Sequence, residues 1–217
     1  MLTFRAFITA IAISICATLG VSAQQTGPVH PGDGPQFTIE VTQGTTNLGK
    51  IVVRLWPDVA PKHVAFFEAR VAEKFYDSTA FHRCIANFMI QGGDPNSKNG
   101  PRQTWGSGGY KDKVPAEFSN KQHMRGVLSA ARTNDPNSFG GQFFICVANA
   151  NWLDGQYTAF GEVVSGMEVA DVIVKAPQDG ANNPLEKISM RITKNKVVET
   201  KPSKQARTKK SKSKKTK

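Results

Sequence analysis

A succession of short strand-like segments, interrupted by glycine, proline and asparagine, restricts the fold of this chain most strongly. Residues 37–41 (FTIEV) and 50–56 (KIVVRLW) alternate apolar and polar side chains around a glycine-containing turn, which predicts an antiparallel pair. Further strands are predicted at residues 80–85, 88–91, 126–131, 143–147 and 159–163, with a closing strand inside 188–198. The chain is therefore predicted to be mainly β.

Only two segments have helical periodicity. Apolar side chains recur at the spacing of one helical face in residues 58–75, and residues 166–175 form a second amphipathic segment. A sheet of short antiparallel strands has no exposed edge when it closes on itself. We therefore predict a closed antiparallel β-barrel with a helix at each end.

The two ends of the chain differ in composition from its middle. Residues 1–23 place Arg5 ahead of an apolar stretch that ends in small residues, which is typical of a cleaved secretory signal peptide; an uncleaved membrane anchor is the alternative. Residues 24–35 are rich in glycine and proline and are expected to form a flexible leader. Residues 36–198 form the predicted domain. Residues 199–217 lack large apolar side chains and are expected to be disordered. We expect export, either to the periplasm or out of the cell.

The positive charge of the chain is concentrated at its end. The formal net charge is +11, yet residues 201–217 hold nine Lys or Arg and no acidic residue, so the rest is nearly neutral. Basic runs bind polyanions in a salt-dependent way. We expect this tail to bind an anionic surface or polymer, with lipid or a cell-wall polymer favoured over DNA or RNA because a signal peptide argues against a nuclear role.

Motifs of nucleophilic, nucleotide-dependent and metal-dependent enzymes are missing from the sequence. It contains no GxSxG, GxxxxGK[ST], HExxH or GxGxxG segment and no CxxC pair. The acidic residues Asp94, Asp112 and Glu117 lack the spacing of a calcium loop, and we expect them to be solvated charges. No metal and no cofactor is predicted.

The histidines give no clear chemistry either. His63 falls in the first predicted helix, where we expect it to be exposed to solvent. His82 and His123 lie in the domain, but no cysteine or acidic residue has the spacing that would make either one a metal ligand or a triad member.

Two strand segments combine an arginine with glutamine and aromatic side chains. The segments are FHRCIANFMIQGGD at 81–94 and QFFIC at 142–146, followed by WLDG at 152–155. Because alternate residues of a strand share a face, Arg83 points the same way as Ile85, and Gln142 the same way as Phe144. If the two faces meet, a guanidinium and an amide lie beside an apolar surface. The alternative is an ordinary core and a surface arginine.

These segments, with GVLSAARTNDPNSFGGQFFIC at 126–146, resemble the cyclophilin family of peptidyl-prolyl cis–trans isomerases. The resemblance covers residues 36–192, and its motifs occur in the same order with compatible spacing. It implies an eight-stranded antiparallel β-barrel capped by two α-helices, a monomer without cofactor, and proline-containing polypeptides as partners. Residues 132–138 are most similar to bacterial members.

The resemblance also implies the site. Arg83 matches the catalytic arginine of the family. The substrate-binding positions match His82, Ile85, Phe88, Met89, Gln91, Ala131, Arg132, Thr133, Gln142, Phe144, Trp152, Leu153 and Tyr157. Two of these depart from common family members, since Tyr157 stands where a histidine is usual and Arg132 where many eukaryotic relatives have asparagine. Trp152 matches the tryptophan associated with cyclosporin binding, so sensitivity to that drug is expected.

The proposed reaction breaks no covalent bond, so the site needs no nucleophile, metal or cofactor. It needs a hydrogen-bond donor, and arginine is a suitable one. Rotation about an Xaa-Pro bond is slow because of amide resonance, and a donor aimed at the nitrogen of the twisted amide would favour that state. Arginine stays charged at any working pH and carries several fixed donors. The same pocket could also serve a proline-peptide binding module with weak turnover, which remains the alternative.

The two cysteines of the domain are predicted to remain free thiols. Cys84 alternates away from Arg83, whereas Cys146 has the same parity as Phe144. If Arg83 and Phe144 face one groove, the two sulfurs lie on opposite sides of the sheet.

Overall fold

The computed structural model of the protein describes residues 34–196. The predicted signal peptide, nearly all of the predicted leader and the basic tail lie outside these residues. Neither α-helix within 34–196 has the length and apolar character needed to cross a bilayer.

Eight strands form one closed sheet. They are β1 (Gln36–Gln43), β2 (Thr46–Leu55), β3 (Thr79–Ile85), β4 (Met89–Gly92), β5 (Val127–Ala130), β6 (Phe143–Cys146), β7 (Ala159–Ser165) and β8 (Ile188–Lys194). Around the barrel the order is β1-β2-β7-β5-β6-β4-β3-β8, and all neighbours are antiparallel. The predicted eight-stranded antiparallel barrel is confirmed.

The two helices, α1 (Pro61–Ala72) and α2 (Met167–Val174), close opposite ends of this barrel. On α1 the ring of Phe67 lies 5.4 Å from that of Phe37, at the start of β1. On α2 Val169 packs over Gly49, which pairs with Val41 toward the far end of β1. A Cβ at Gly49 would lie 2.8 Å from the Val169 side chain, so the close approach of α2 depends on the missing side chain.

The start of α1 is capped from a distant part of the chain. Ala60 offers no side-chain cap, and the Glu117 carboxylate instead accepts hydrogen bonds from the backbone N–H groups of Lys62 and His63, each at 3.0 Å. The His63 ring donates from Nδ1 to the same carboxylate at 2.7 Å and is only 1% exposed. The predictions of a solvated Glu117 and an exposed His63 were both wrong, because the two side chains satisfy each other at the helix end.

Strand alternation gives the sheet wall two apolar faces. Phe143 and Ile145 of β6 point into the barrel core, whereas Phe144 and Cys146 belong to a second, smaller cluster on the outer side. Cys84 lies in the barrel core. Cys84 and Cys146 are therefore separated by the wall and are free thiols, as predicted, and burial raises the pKa of each to about 12.

The buried histidines predict how stability depends on pH. Burial lowers the pKa of His63, His82 and His123 below the ordinary value of about 6.5. As the pH falls below that value, the unfolded chain binds protons that the folded state resists, so the free energy of unfolding decreases. We expect urea midpoints to fall steadily from pH 7.5 to pH 5.5, above the range in which carboxylates titrate.

The matched variant for this measurement is His63→Gln, which removes one of the three buried histidines. Its urea midpoint should decrease less than that of the wild-type protein over the same pH range. Unchanged or rising midpoints in the wild-type protein would contradict the assignment of neutral buried rings.

Candidate active site

Nine of the fourteen predicted site residues line one small cavity of about 150 Å³ on the outer face of the wall. They are Arg83, Phe88, Met89, Gln91, Ala131, Arg132, Phe144, Leu153 and Tyr157. The sequence segments 81–94, 126–146 and 152–157 thus meet because β3, β4, β6 and β5 are consecutive in the barrel. The faces of Arg83 and Phe144 do meet, which the strand parity left open.

The cavity has an apolar floor. Met89, Phe144 and Leu153 are at most 7% exposed and pack together in the outer cluster. Ile85, Phe88, Ala131 and Tyr157 are the partly buried side chains around it. Trp152 extends the apolar surface at the rim, with its ring 5.4 Å from Phe88 and 59% of the residue exposed. Such a floor suits a compact apolar ring rather than a charged or extended group.

A β-bulge sets the direction of Arg83. Phe81 pairs with Gly92 and Arg83 with Gln91, so His82 is the extra residue on β3. His82 is buried and lines a different cavity, whereas Arg83 is exposed at the edge of the apolar one. Burial lowers the pKa of His82. His82 therefore does not contribute to the wall of the small cavity.

A chain of side-chain amides leads from the interior to Arg83. Gln142 donates through Nε2 to the carbonyl oxygens of Gly106 at 3.0 Å and Gly108 at 2.7 Å. Because carbonyl oxygens only accept, the Gln142 oxygen must face away from them, and it accepts from Gln91 Nε2 at 3.0 Å. The Gln91 oxygen then accepts from Arg83 Nη1 at 3.3 Å. The orientation of each amide is thus set by the hydrogen bond before it, and the last amide oxygen accepts from the guanidinium.

Asp94 holds the glycine-rich loop at residues 93–113, from which this chain of amides starts. Its carboxylate is fully buried and accepts from the backbone N–H groups of Asn96 at 2.8 Å, of Gly106, and of Gly108 at 3.3 Å. The expectation of a solvated Asp94 was wrong, because folding of the glycine-rich loop brings three donors to it. An aspartate followed by Pro-Asn and then by glycines was the available signal, since Asp readily accepts from its own turn.

Arg132 and Tyr157, the two site residues that differ from common family members, contact each other. The Arg132 guanidinium lies 4.3 Å from the ring centre of Tyr157, and its donors bind the carbonyl oxygens of Gln156 and Thr133. Tyr157 in turn meets Phe144 edge-on at 5.9 Å. The Arg132 side chain therefore braces one wall of the cavity through its contact with Tyr157.

His123 takes part in an arrangement that sequence spacing did not predict. Its Nδ1 lies 3.0 Å from Asp154 Oδ1 and its Nε2 lies 2.9 Å from Ser129 Oγ, in the order of a hydrolase triad. Both His123 and Ser129 are fully buried, and neither lines the small cavity, so the hydroxyl is out of reach of a substrate. The His123 ring stacks near Phe144, 6.2 Å away, and supports the cavity floor.

No group of three or more His, Cys, Asp or Glu residues within 34–196 is arranged to hold a metal ion. A family model described as cyclophilin type peptidyl-prolyl cis-trans isomerase/CLD matches residues 22–210. The chain belongs to this family. It is a peptidyl-prolyl cis–trans isomerase, with the fold and activity that the sequence resemblance implied.

Relatives of this isomerase occur in distant organisms. A protein of Brucella suis biovar 1 named "Probable peptidyl-prolyl cis-trans isomerase" is 43% identical over 136 residues, which is 60% of this chain and 69% of the relative. Peptidyl-prolyl cis-trans isomerase CYP18-1 of Arabidopsis thaliana is 41% identical over 67% of this chain and 89% of its own length. Bacterial and plant sequences are thus similarly close to this cyclophilin.

Solved structures agree with the barrel. The crystal structure of a Cryptosporidium parvum cyclophilin-type isomerase superposes with a TM-score of 0.67 and 29% identity, covering 75% of this chain and 98% of that one. A second crystal structure of that protein, determined in the presence of the dipeptide Ala-Pro, gives a TM-score of 0.66.

The buried carboxylate of Asp94 gives a testable prediction. Asp94→Asn replaces an acceptor by an amide that cannot satisfy all three backbone donors, which should loosen the loop that orients Gln142. We expect kcat/KM for a proline peptide to fall about tenfold, the effect of roughly 1.4 kcal/mol in the barrier, while the circular dichroism spectrum is retained.

Asp112→Asn is the matched control, because Asp112 is an exposed acid of the same loop. Equal activity of both variants would show that the buried carboxylate does not position the catalytic groups.

Proposed function

We propose that Arg83 accelerates rotation about Xaa-Pro bonds by stabilising the twisted amide. The barrier to rotation is about 18–20 kcal/mol, and it arises from conjugation of the nitrogen lone pair with the carbonyl. In the twisted state this lone pair becomes localised and accepts a hydrogen bond more strongly than in the planar states. A donor at this nitrogen therefore lowers the barrier without holding either isomer tightly.

The Arg83 guanidinium at the edge of an apolar cavity carries this proposal. The cavity of about 150 Å³ would hold the proline ring against Met89, Phe144 and Leu153. Arg83 lies at its edge, where one of its five N–H donors is committed to Gln91 and the others remain for a substrate. The amide chain holds the guanidinium in place before a substrate arrives, which reduces the entropy lost on binding.

The competing function is a proline-peptide binding module with weak turnover. The same apolar floor would bind a proline ring in either case, and only the use made of Arg83 differs. A binding module would retain its affinity for peptides and show little acceleration.

We propose proteins that fold after export as the natural substrates. The composition of residues 1–23 supports this location, and the basic residues 201–217 would then keep the enzyme near an anionic surface. The exposed Trp152 beside Phe88 supports binding of cyclosporin as well.

Arg83→Ala tests the mechanism. We expect kcat/KM on a short Xaa-Pro peptide to fall at least about 100-fold, because loss of the donor removes roughly 2.7 kcal/mol of transition-state stabilisation. Arg191→Ala is the matched control, since Arg191 is an exposed arginine of β8 that pairs with Glu40 and does not line the small cavity, and it should retain full activity.

The two functions give different results in this assay. An unchanged isomerisation rate in the Arg83→Ala protein would overturn the mechanism. A wild-type protein that binds the peptide but does not accelerate its isomerisation would favour the binding module.

Deletion of residues 199–217 tests the role of the basic tail. The truncated protein should retain wild-type turnover and lose its salt-sensitive retention on vesicles that contain anionic lipid, because the body of the protein is nearly neutral. Equal retention of the truncated and full-length proteins would show that the tail is not the determinant.

A further inference from the structure

A second and much larger cavity adjoins the small one. Its volume is about 730 Å³, and it shares Gln91, Ala131 and Arg132 with the cavity that holds the proline ring in the proposed function. Gly106, Gly108, Gly109 and Gly140 form part of its lining, so backbone rather than side chains borders much of the space. A polypeptide that places its proline in the small cavity and continues past Gln91 and Arg132 would therefore extend over the larger one.

The charged residues that line the larger cavity are all cations. They are Lys111, Lys113 and Arg132, and the lining contains no carboxylate. Arg83 adds a fourth cation across the shared wall. Because residues 34–196 contain nearly equal numbers of basic and acidic residues, this is a local concentration of charge rather than a property of the whole domain.

These cations are not neutralised by acidic partners within the described part of the chain. Arg132 donates to backbone carbonyl oxygens, Lys113 Nζ donates to the carbonyl oxygen of Tyr110 at 2.6 Å, and Lys111 is exposed. Elsewhere on the domain, seven cations form ion pairs: Lys50, Arg54, Arg70, Arg102, Arg125, Arg191 and Lys194.

Three acidic residues lie near this surface without lining it. The Asp94 carboxylate is buried behind Gly106 and Gly108 and accepts from their backbone N–H groups, so it does not face the cavity. Asp112 separates the two lysines, and Asp135 lies in the turn that follows Arg132, yet both are exposed and neither lines either cavity. At Gly140 a Cβ would lie only 2.5 Å from Lys113 Nζ, so the ammonium occupies space that a side chain would otherwise fill.

We propose that the larger cavity is a subsite for an acidic side chain of the substrate, with Lys111 and Lys113 as its specificity-determining residues. The proposal rests on the proposed function, because the proline ring in the small cavity fixes where the rest of the peptide lies. The two cavities share walls and an extended chain advances about 3.3–3.6 Å per residue, so the acidic residue lies within about three residues of the Xaa-Pro bond.

Peptide pairs that differ only by Glu or Gln test the subsite. The pair is placed at each of the three positions on either side of the Xaa-Pro bond, and kcat/KM is measured at low and at high salt. We expect Glu to be preferred over Gln about two- to fivefold at one or more positions, mainly through a lower KM, as for an exposed ion pair. The preference should disappear at high salt.

Charge reversal assigns the preference to the lysines. The double variant Lys111→Glu/Lys113→Glu should prefer Gln over Glu at the same position. Lys175→Glu/Lys196→Glu is the matched control, because it changes the net charge equally at two exposed lysines that line neither cavity, and it should keep the wild-type activity and preference.

The possible results distinguish failure of the proposed subsite from failure of the proposed isomerase function. Turnover of the Gln peptides without a preference for Glu at any position overturns the subsite and leaves the proposed mechanism intact. A preference that survives Lys111→Glu/Lys113→Glu overturns the role of the two lysines. Failure to accelerate any peptide overturns the proposed function, and the subsite with it.

Discussion

The structure depends on a sheet wall whose two faces are both apolar. On β6, Phe143 and Ile145 complete the barrel core, and Phe144 and Cys146 begin the outer cluster that forms the floor of the candidate site. Because the same few residues of backbone serve both faces, the floor cannot move without disturbing the packing behind it. The candidate site is therefore as rigid as the core on which it is built.

Hydrogen bonds orient the polar side chains beside this apolar floor. Two backbone carbonyls orient the Gln142 amide, Gln142 orients the Gln91 amide, and the Gln91 oxygen accepts from Arg83. Asp94 holds the loop that supplies those carbonyls. The long loop is functional in this sense, although it contributes little side-chain surface to the cavity. Its short 3₁₀ segments, Pro95–Ser97 and Arg102–Thr104, lie between the buried carboxylate and the glycines that it binds.

Most of the fold could be predicted from sequence because its signals are local. Strand alternation and helical periodicity depend only on residues that are close in sequence. All eight strands and both helices lie where those patterns indicate. The pocket residues came from the family resemblance, since parity alone left open whether Arg83 and Phe144 meet. The contacts of His63 with Glu117 and of His123 with Asp154 were missed, because each joins residues more than thirty positions apart with no pattern between them.

The placement of the site outside the barrel has a consequence for the shape of its substrates. A pocket in the lumen would admit only a free chain end or a small molecule, whereas a recess on the exterior can receive a bend from the middle of a long polypeptide. Prolines in a chain that is anchored at both ends, such as one still emerging from a pore or partly folded on either side, remain within reach of such a surface.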